Sequence, residues 1–389
     1  MSEVSGGAPP SVAALVDEAA ARAGSWPDDV PFVENLELLV DSARRTGALN
    51  ATGHQVLHKA VVRHLRNLRD LHAYVDEHPD VARRQLESPV VVTGLPRTGT
   101  TLLHNLLALD PAHRVLRFWE ALHPLPADAG GPPEEVRRAQ AQRWLDGFYR
   151  LVPEFQAIHR ATATGPEECD ALLQNSFASQ HFDDMFDAEG YSAWLAHASL
   201  TDEYRHYAVQ LRVLSGPLAT GTRWALKSPS HLGHLDALLT ALPGATVVVC
   251  HRHPGEAVAS YASLMHALRR TYSDAASSDA IGRQALSRTA TAMGRAMAVR
   301  DETSGAAVVD VSYQGLVRDP AETVRTLYER FDRPLDAAME QRVVEYARAN
   351  PQHQHGPHRY DLARFGLTGA EVDVAFASYM ERFGAFAGS

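Results

Sequence analysis

Gly94, Arg97, Gly99, Thr100 and Thr101 fall within one short segment, Val90-Val-Val-Thr-Gly-Leu-Pro-Arg-Thr-Gly-Thr-Thr101, which passes from an apolar run into a helical pattern ending near Asp110-Pro111. In such a turn, successive backbone N–H groups and the positive end of the following helix converge on an anion. Gly94 and Gly99 let the backbone approach closely, and Thr100 and Thr101 add hydroxyl donors. The nucleotide-kinase loop reads G-x-x-x-x-G-K-[ST]. Here the glycine spacing is kept, but Thr100 stands at the lysine position and Arg97 sits inside the loop. Without that lysine, an ATP–magnesium site is disfavoured and Arg97 becomes the loop's cation.

Two further blocks carry cations at comparable places. Trp224-Ala-Leu-Lys227-Ser-Pro-Ser-His231 ends one apolar run and opens a helical pattern. Val247-Val-Val-Cys-His-Arg252-His-Pro254 leads into a helix that carries Ser260 eight residues beyond Arg252. Of 37 basic residues only Lys59 and Lys227 are lysine, and 35 are arginine. Helix propensity does not demand that skew. A surviving lysine therefore marks a candidate site for a compact, titratable ammonium. Lys59 lies in a His- and Arg-rich helical stretch with no chemistry attached to it. Lys227 lies where a strand ends.

The elements that must position these groups are short apolar runs separated by helices. The runs are 89–93, 115–118, 224–226, 245–250 and 306–311. They do not alternate with polar residues, so they suit strands covered on both faces of a parallel sheet. Ligands of open parallel sheets bind at the carboxyl ends of the strands, which would gather Arg97, Lys227 and Arg252 along one edge. Asp319, Pro320 and Glu322 read as the N-cap, first turn and capping partner of a helix over 319–331. Residues 11 to about 86 read as a helical N-terminal extension packed on the core, and 134 to about 214 as a mostly helical, aromatic-rich stretch. The chain is therefore α/β, divided into an extension (1–86) and a main domain (87–389) with a helical insertion at about 119–215.

Composition narrows the function further. With 389 residues, 45% hydrophobic and 22% charged, the chain can bury a large core and is not collagen-like, coiled-coil or wholly disordered. A net charge of −10 argues against bulk nucleic-acid binding. No apolar run approaches a membrane span, and residues 1–10 do not read as a secretory signal. Two cysteines, Cys169 and Cys250, cannot build a disulfide framework, which fits a reducing cytoplasm.

Taken together, the blocks resemble the sulfotransferases that use 3′-phosphoadenylyl sulfate (PAPS). Leu95-Pro96-Arg97-Thr98-Gly99-Thr100-Thr101 is similar to their 5′-phosphosulfate loop, Arg252 and Ser260 to their 3′-phosphate pair, and Val311-Ser-Tyr313 to the strand whose tyrosine lies near the adenine. The pattern Trp224-x-Leu-Lys227-x-Pro229-x-His231 resembles a broad bacterial branch and the tyrosylprotein-type enzymes more than the cytosolic phenol and steroid enzymes. The resemblance extends over about 88–335. It implies a P-loop-type three-layer fold, PAPS as donor, PAP as product, no metal, and a role in bacterial secondary metabolism. It also implies Arg97 and Lys227 at the phosphosulfate, with Pro96, Thr98, Gly99, Thr100, Thr101, Arg252, Ser260 and Tyr313 completing the donor site. For the base it leaves two candidates. Glu120 resembles the glutamate of the tyrosylprotein-type branch, and His231 the histidine that follows the lysine in the cytosolic enzymes.

Sulfuryl transfer itself requires placing two oxygens in line, stabilising charge on the leaving phosphate and removing the acceptor's proton. The acceptor expected is a hydroxylated small molecule, apolar or aromatic, set against Trp119, Phe148, Tyr149, Phe155, Phe177, Phe182, Tyr191 and Trp194 of the insertion. Gly165-Pro-Glu167-Glu168 reads first as a helix-dipole feature and second as an acceptor-orienting motif. The stretch His353–Tyr360 reads as a basic loop over the phosphates, with His358 and Arg359 as contacts. An ATP-dependent phosphotransferase and a non-catalytic nucleotide-binding protein are the alternative functions, and homo-oligomerisation is left open.

Overall fold

The computed structural model describes residues 11–20, 26–158, 161–216, 221–303, 308–350 and 361–388. Five strands form one parallel sheet: β1 (Val90–Gly94), β2 (His113–Arg114), β3 (Arg223–Lys227), β4 (Thr246–His251) and β5 (Val308–Ser312). Their spatial order is β2-β3-β1-β4-β5, so the winding reverses across β1. Val92 of β1 pairs with Lys227, Gly94 with Cys250, and His251 with Ser312. This register brings the loops after β1, β3, β4 and β5 to one edge of the sheet, at the topological switch point.

Alternate strand residues enter two cores. Val90, Val92, Ala225, Val248 and Cys250 pack on Leu103, Leu106, Leu316 and Leu327 on one face. Val91, Trp224, Leu226, Val247 and Val249 pack into a larger cluster on the other. The run of β-branched residues without polar alternation is thus explained by helices on both faces, giving three layers.

The N-terminal helices belong to the larger core. Leu36, Leu39, Val40 and Ala43 of the helix Phe32–Thr46, and Val61, Leu65 and Leu68 of Ala51–Glu77, are buried at helical spacing in that cluster. Asn35 ties the first of these helices down by donating to Glu203 Oε1 (2.9 Å) and to the Ser176 carbonyl (3.0 Å). No helix among the described residues is long and apolar enough to cross a membrane.

One expected strand is corrected. The run 115–118 does not join the sheet: the edge strand is His113–Arg114, Arg117 is extended but makes only an isolated bridge to Pro166, and Phe118 opens the helix Phe118–Leu122. Glu120 is the reason, because its Oε2 accepts the Arg117 N–H (2.9 Å) and closes the first turn. After Lys227 the chain makes a 3-10 turn, Pro229–His234, before the helix Leu235–Ala241. Asp319 caps its helix as expected, accepting the Glu322 N–H at 3.0 Å.

Candidate active site

The loop after β1 is held by three left-handed or near-extended positions. Gly94 (φ 144°) passes so close to the Cys250 carbonyl that a Cβ there would collide with it. Arg97 adopts φ 71°, uncommon for a side-chain-bearing residue and a form of strain often found at binding sites. Gly99 (φ 88°) caps the helix Thr100–Leu107, and a Cβ on it would lie 2.8 Å from Cδ2 of Tyr313. The Tyr313 ring therefore lies across the glycine, where only hydrogen fits. Thr98 is fully buried and donates its hydroxyl to the Leu95 carbonyl (2.7 Å), so it shapes the loop from inside.

The cations meet around this loop. Arg97 Nε–H donates to Ser260 Oγ (3.1 Å), and Arg252 Nη1–H donates to the Arg97 carbonyl (3.0 Å). The Arg252 guanidinium also stacks 4.3 Å from the centre of the Tyr313 ring and pairs with Glu256 Oε2 (2.7 Å). Arg97, Arg252, Ser260 and Tyr313, chosen from sequence blocks far apart, are thus brought into one cluster. His358 and Arg359 lie outside the described residues.

A cavity of about 730 Å³ opens from this cluster. Pro96, Arg97, Gly99, Thr100, Thr101, Arg252 and Tyr313 line one end. The rest of its lining includes an apolar group of Phe118, Trp144, Phe148 and Phe155 and a polar group of Glu167, Glu168, Asp170, His181, Asp184 and Tyr261. Trp144 stacks on Phe148 (5.2 Å) and Phe155 meets Phe148 edge-on (5.0 Å), so the apolar wall is one packed aromatic unit. Of the aromatics expected here, Phe148, Tyr149 and Phe155 line the cavity. Trp119, Phe177, Phe182 and Tyr191 are spent in the core, and Trp194 packs on it.

Lys227 is only 2% exposed and donates from Nζ to Glu168 Oε1 at 2.5 Å. Glu168 is placed there by the backbone: the Cys169 N–H donates to the Lys227 carbonyl (3.0 Å), and the Glu167 N–H to the Leu116 carbonyl (2.8 Å). The acidic pair is thereby stitched to the end of β3, and the sequence order Glu-Glu-Cys decides which carboxylate reaches the lysine. Burial pushes Glu167 up to about 7, against the opposing pull of Lys227 and of the Glu168 N–H that donates to its Oε1 (2.8 Å). Asp170 and Asp184, also raised to about 7 by burial, extend this acidic wall.

Neither residue expected as the base faces the cavity. Glu120 is 5% exposed, forms a bidentate pair with Arg114 (Nη1–Oε2 3.0 Å) and caps its own helix, so its oxygens are committed to holding the chain. His231 is fully buried, with its ring nitrogens 2.7 Å from the Tyr204 hydroxyl and 3.1 Å from the Cys169 sulfur. Burial, opposed by the charge of Glu168, pushes its pKa down to about 4. The turn at Pro229 directs His231 into the core behind the sheet edge.

Sequence reasoning weighted Glu168 toward a helix-dipole role and passed over Arg63, His181, Asp184 and Tyr261. The neighbouring Gly-Pro turn was a signal for the first. Arg63, one of 35 arginines on an amphipathic helix, carried no signal.

The model of the sulfotransferase family matches residues 89–337. Among solved structures, the sulfotransferase STF1 from Mycobacterium tuberculosis is 28% identical, with 95% of this chain and 99% of that chain covered at a TM-score of 0.80. Sulfotransferase STF9 from Mycobacterium avium is 27% identical, with 96% and 95% covered and a TM-score of 0.80. No curated protein sequence matches the chain.

Proposed function

Because the chain belongs to the sulfotransferase family, we propose that its sulfuryl donor is PAPS, that its acceptor is a hydroxylated small molecule and that PAP is released. The carrying observation is the cluster of Arg97, Arg252, Ser260 and Tyr313 around Gly99, a glycine whose Cβ position is closed by a ring. A flat ring, two guanidinium groups, a hydroxyl and a helix N-terminus form a donor set suited to a phosphorylated nucleotide.

The donor supplies the sulfuryl group on a phosphate oxygen. The chain's residues must then hold the phosphates, hold the acceptor and take its proton. We assign Arg97, Lys227 and the backbone of Pro96 to Thr101 to the phosphosulfate, Arg252 and Ser260 to the 3′-phosphate, and Tyr313 to the adenine region. The proton acceptor we assign is Glu168. It lines the cavity, and its carboxylate lies against the ammonium that would attend the leaving oxygen. Lys227 leaves Glu168 for that oxygen as charge develops there, and the freed carboxylate takes the acceptor's proton as the new S–O bond forms. A buried ammonium is mobile enough for that exchange, whereas a forked guanidinium would stay locked to the carboxylate.

The two buried free thiols fit a cytoplasmic location. Thermal stabilisation by PAP, set against ATP with magnesium, tests the donor assignment. PAP should raise the melting temperature and ATP–magnesium should not; the reverse pattern overturns it.

A further inference from the structure

Arg63 projects from the helix Ala51–Glu77, outside the stretch matched by the family model, and lines the cavity. Its Nε is buried without a hydrogen-bond partner, and its Nη2 lies 3.0 Å from Nε2 of His64. It forms no ion pair with a carboxylate among the described residues. Other arginines in the interior are answered differently. Arg114 pairs with Glu120, Arg269 with Asp183 and Asp187, and Arg288 with Asp183 and Asp184. Arg137 and Arg223 lack a carboxylate but stack on Trp119 and Phe331.

The groups around Arg63 cannot neutralise it. His64, His123 and His181 all feel its charge, and burial holds each of them neutral at physiological pH, His123 and His181 at about 4. Burial also brings Arg63 itself down to about 10, so it remains a cation. A partly buried cation facing open volume without a counter-ion is a site for one. Arg63, His181 and Glu168 all line this cavity, and His181 lies within range of both charges. The aromatic wall of Trp144, Phe148 and Phe155 completes the space.

We propose that Arg63 is an anion subsite for the acceptor, which is therefore an amphipathic hydroxy acid: its carboxylate meets Arg63, its apolar body lies on the Trp144–Phe148–Phe155 wall, and its hydroxyl faces Glu168. This assignment rests on the sulfotransferase reading.

The test uses the full chain saturated with PAP, titrated calorimetrically with ω-hydroxycarboxylates of increasing length, each beside its methyl ester. The wild-type chain should bind at least one acid about 10- to 100-fold more tightly than its ester, the range of a charge-assisted hydrogen bond. Arg63→Gln should abolish that preference and leave the ester unchanged, while Arg63→Lys should keep part of it. PAP stabilisation of each variant verifies its fold. Equal binding of acid and ester, no binding of any acid to PAP-loaded protein, or a preference that survives Arg63→Gln overturns the subsite. Absence of PAP stabilisation in the wild type instead overturns the donor reading.

Discussion

At the donor end of the cavity, Arg97, Arg252, Ser260 and Tyr313 sit on, or just beyond, loops that leave three strands of one sheet, and they brace one another directly. At the acceptor end, Arg63, Phe148, Glu168 and Tyr261 come from four separate segments, with carboxylates raised by burial and a cation left unanswered. The first end is set by backbone register and is preorganised before any ligand arrives. The second is set by side-chain packing between helices and holds groups whose charges a ligand would complete.

The sharpest way to break this comparison is Glu168→Gln. If the acceptor end supplies the base, turnover should fall by about 10²- to 10⁴-fold, while PAP raises the melting temperature as in the wild type. Single-turnover kinetics at saturating acceptor check it. A variant that keeps near-normal turnover would move proton removal to another group. Arg252→Ala acts on the opposite end and should weaken PAP binding about 10- to 100-fold by removing charge-assisted contacts. Turnover at saturating donor should change far less. Gly99→Ala belongs with it: the φ of 88° and the contact with Tyr313 predict lost PAP affinity in a folded chain, measured by calorimetry.

Glu120→Gln tests the correction to the base. The amide can still accept the Arg117 N–H but not hold Arg114 as an ion pair. The expected outcome is a lower melting temperature, on the scale of about 1.5–3 kcal/mol for a hydrogen bond to a charged group, with turnover of the folded enzyme preserved. A selective loss of turnover at unchanged stability would restore Glu120 to the chemistry.

The cluster around Gly99 was legible in the sequence because its parts are local. A strand, a glycine turn and a helix start occupy a dozen consecutive residues, and the distance from Arg252 to Ser260 fits one strand end and two helical turns. The same local logic gave the parallel sheet and both of its covered faces. The burial of Glu120 and His231 away from the cavity was not legible, because the capping of a five-residue helix and a proline turn, not their distance from a motif, decide where they point. Arg63 was illegible for a different reason. His123 and His181, which lie within range of its charge, are 60 and 118 residues away in sequence, and nothing local records that proximity.

The smallest effect concerns Glu167. Burial raises its pKa from an ordinary 4.5 to about 7, so the folded chain holds this proton more tightly than the unfolded chain does. Its stabilising contribution is complete below about 4.5 and is lost as pH rises through about 7. Glu167→Gln cannot titrate. Its melting temperature should therefore gain on that of the wild type as pH rises between about 5 and 8. Asp170 and Asp184 titrate in a similar range, but they are present in both proteins, so the difference between the two curves isolates Glu167 to first order. A difference that stays constant with pH would mean that Glu167 is solvated like a surface carboxylate. The acidic wall would then lack the desolvation that distinguishes it from the donor end, and the contrast between the two ends would rest on Arg63 and Glu168 alone.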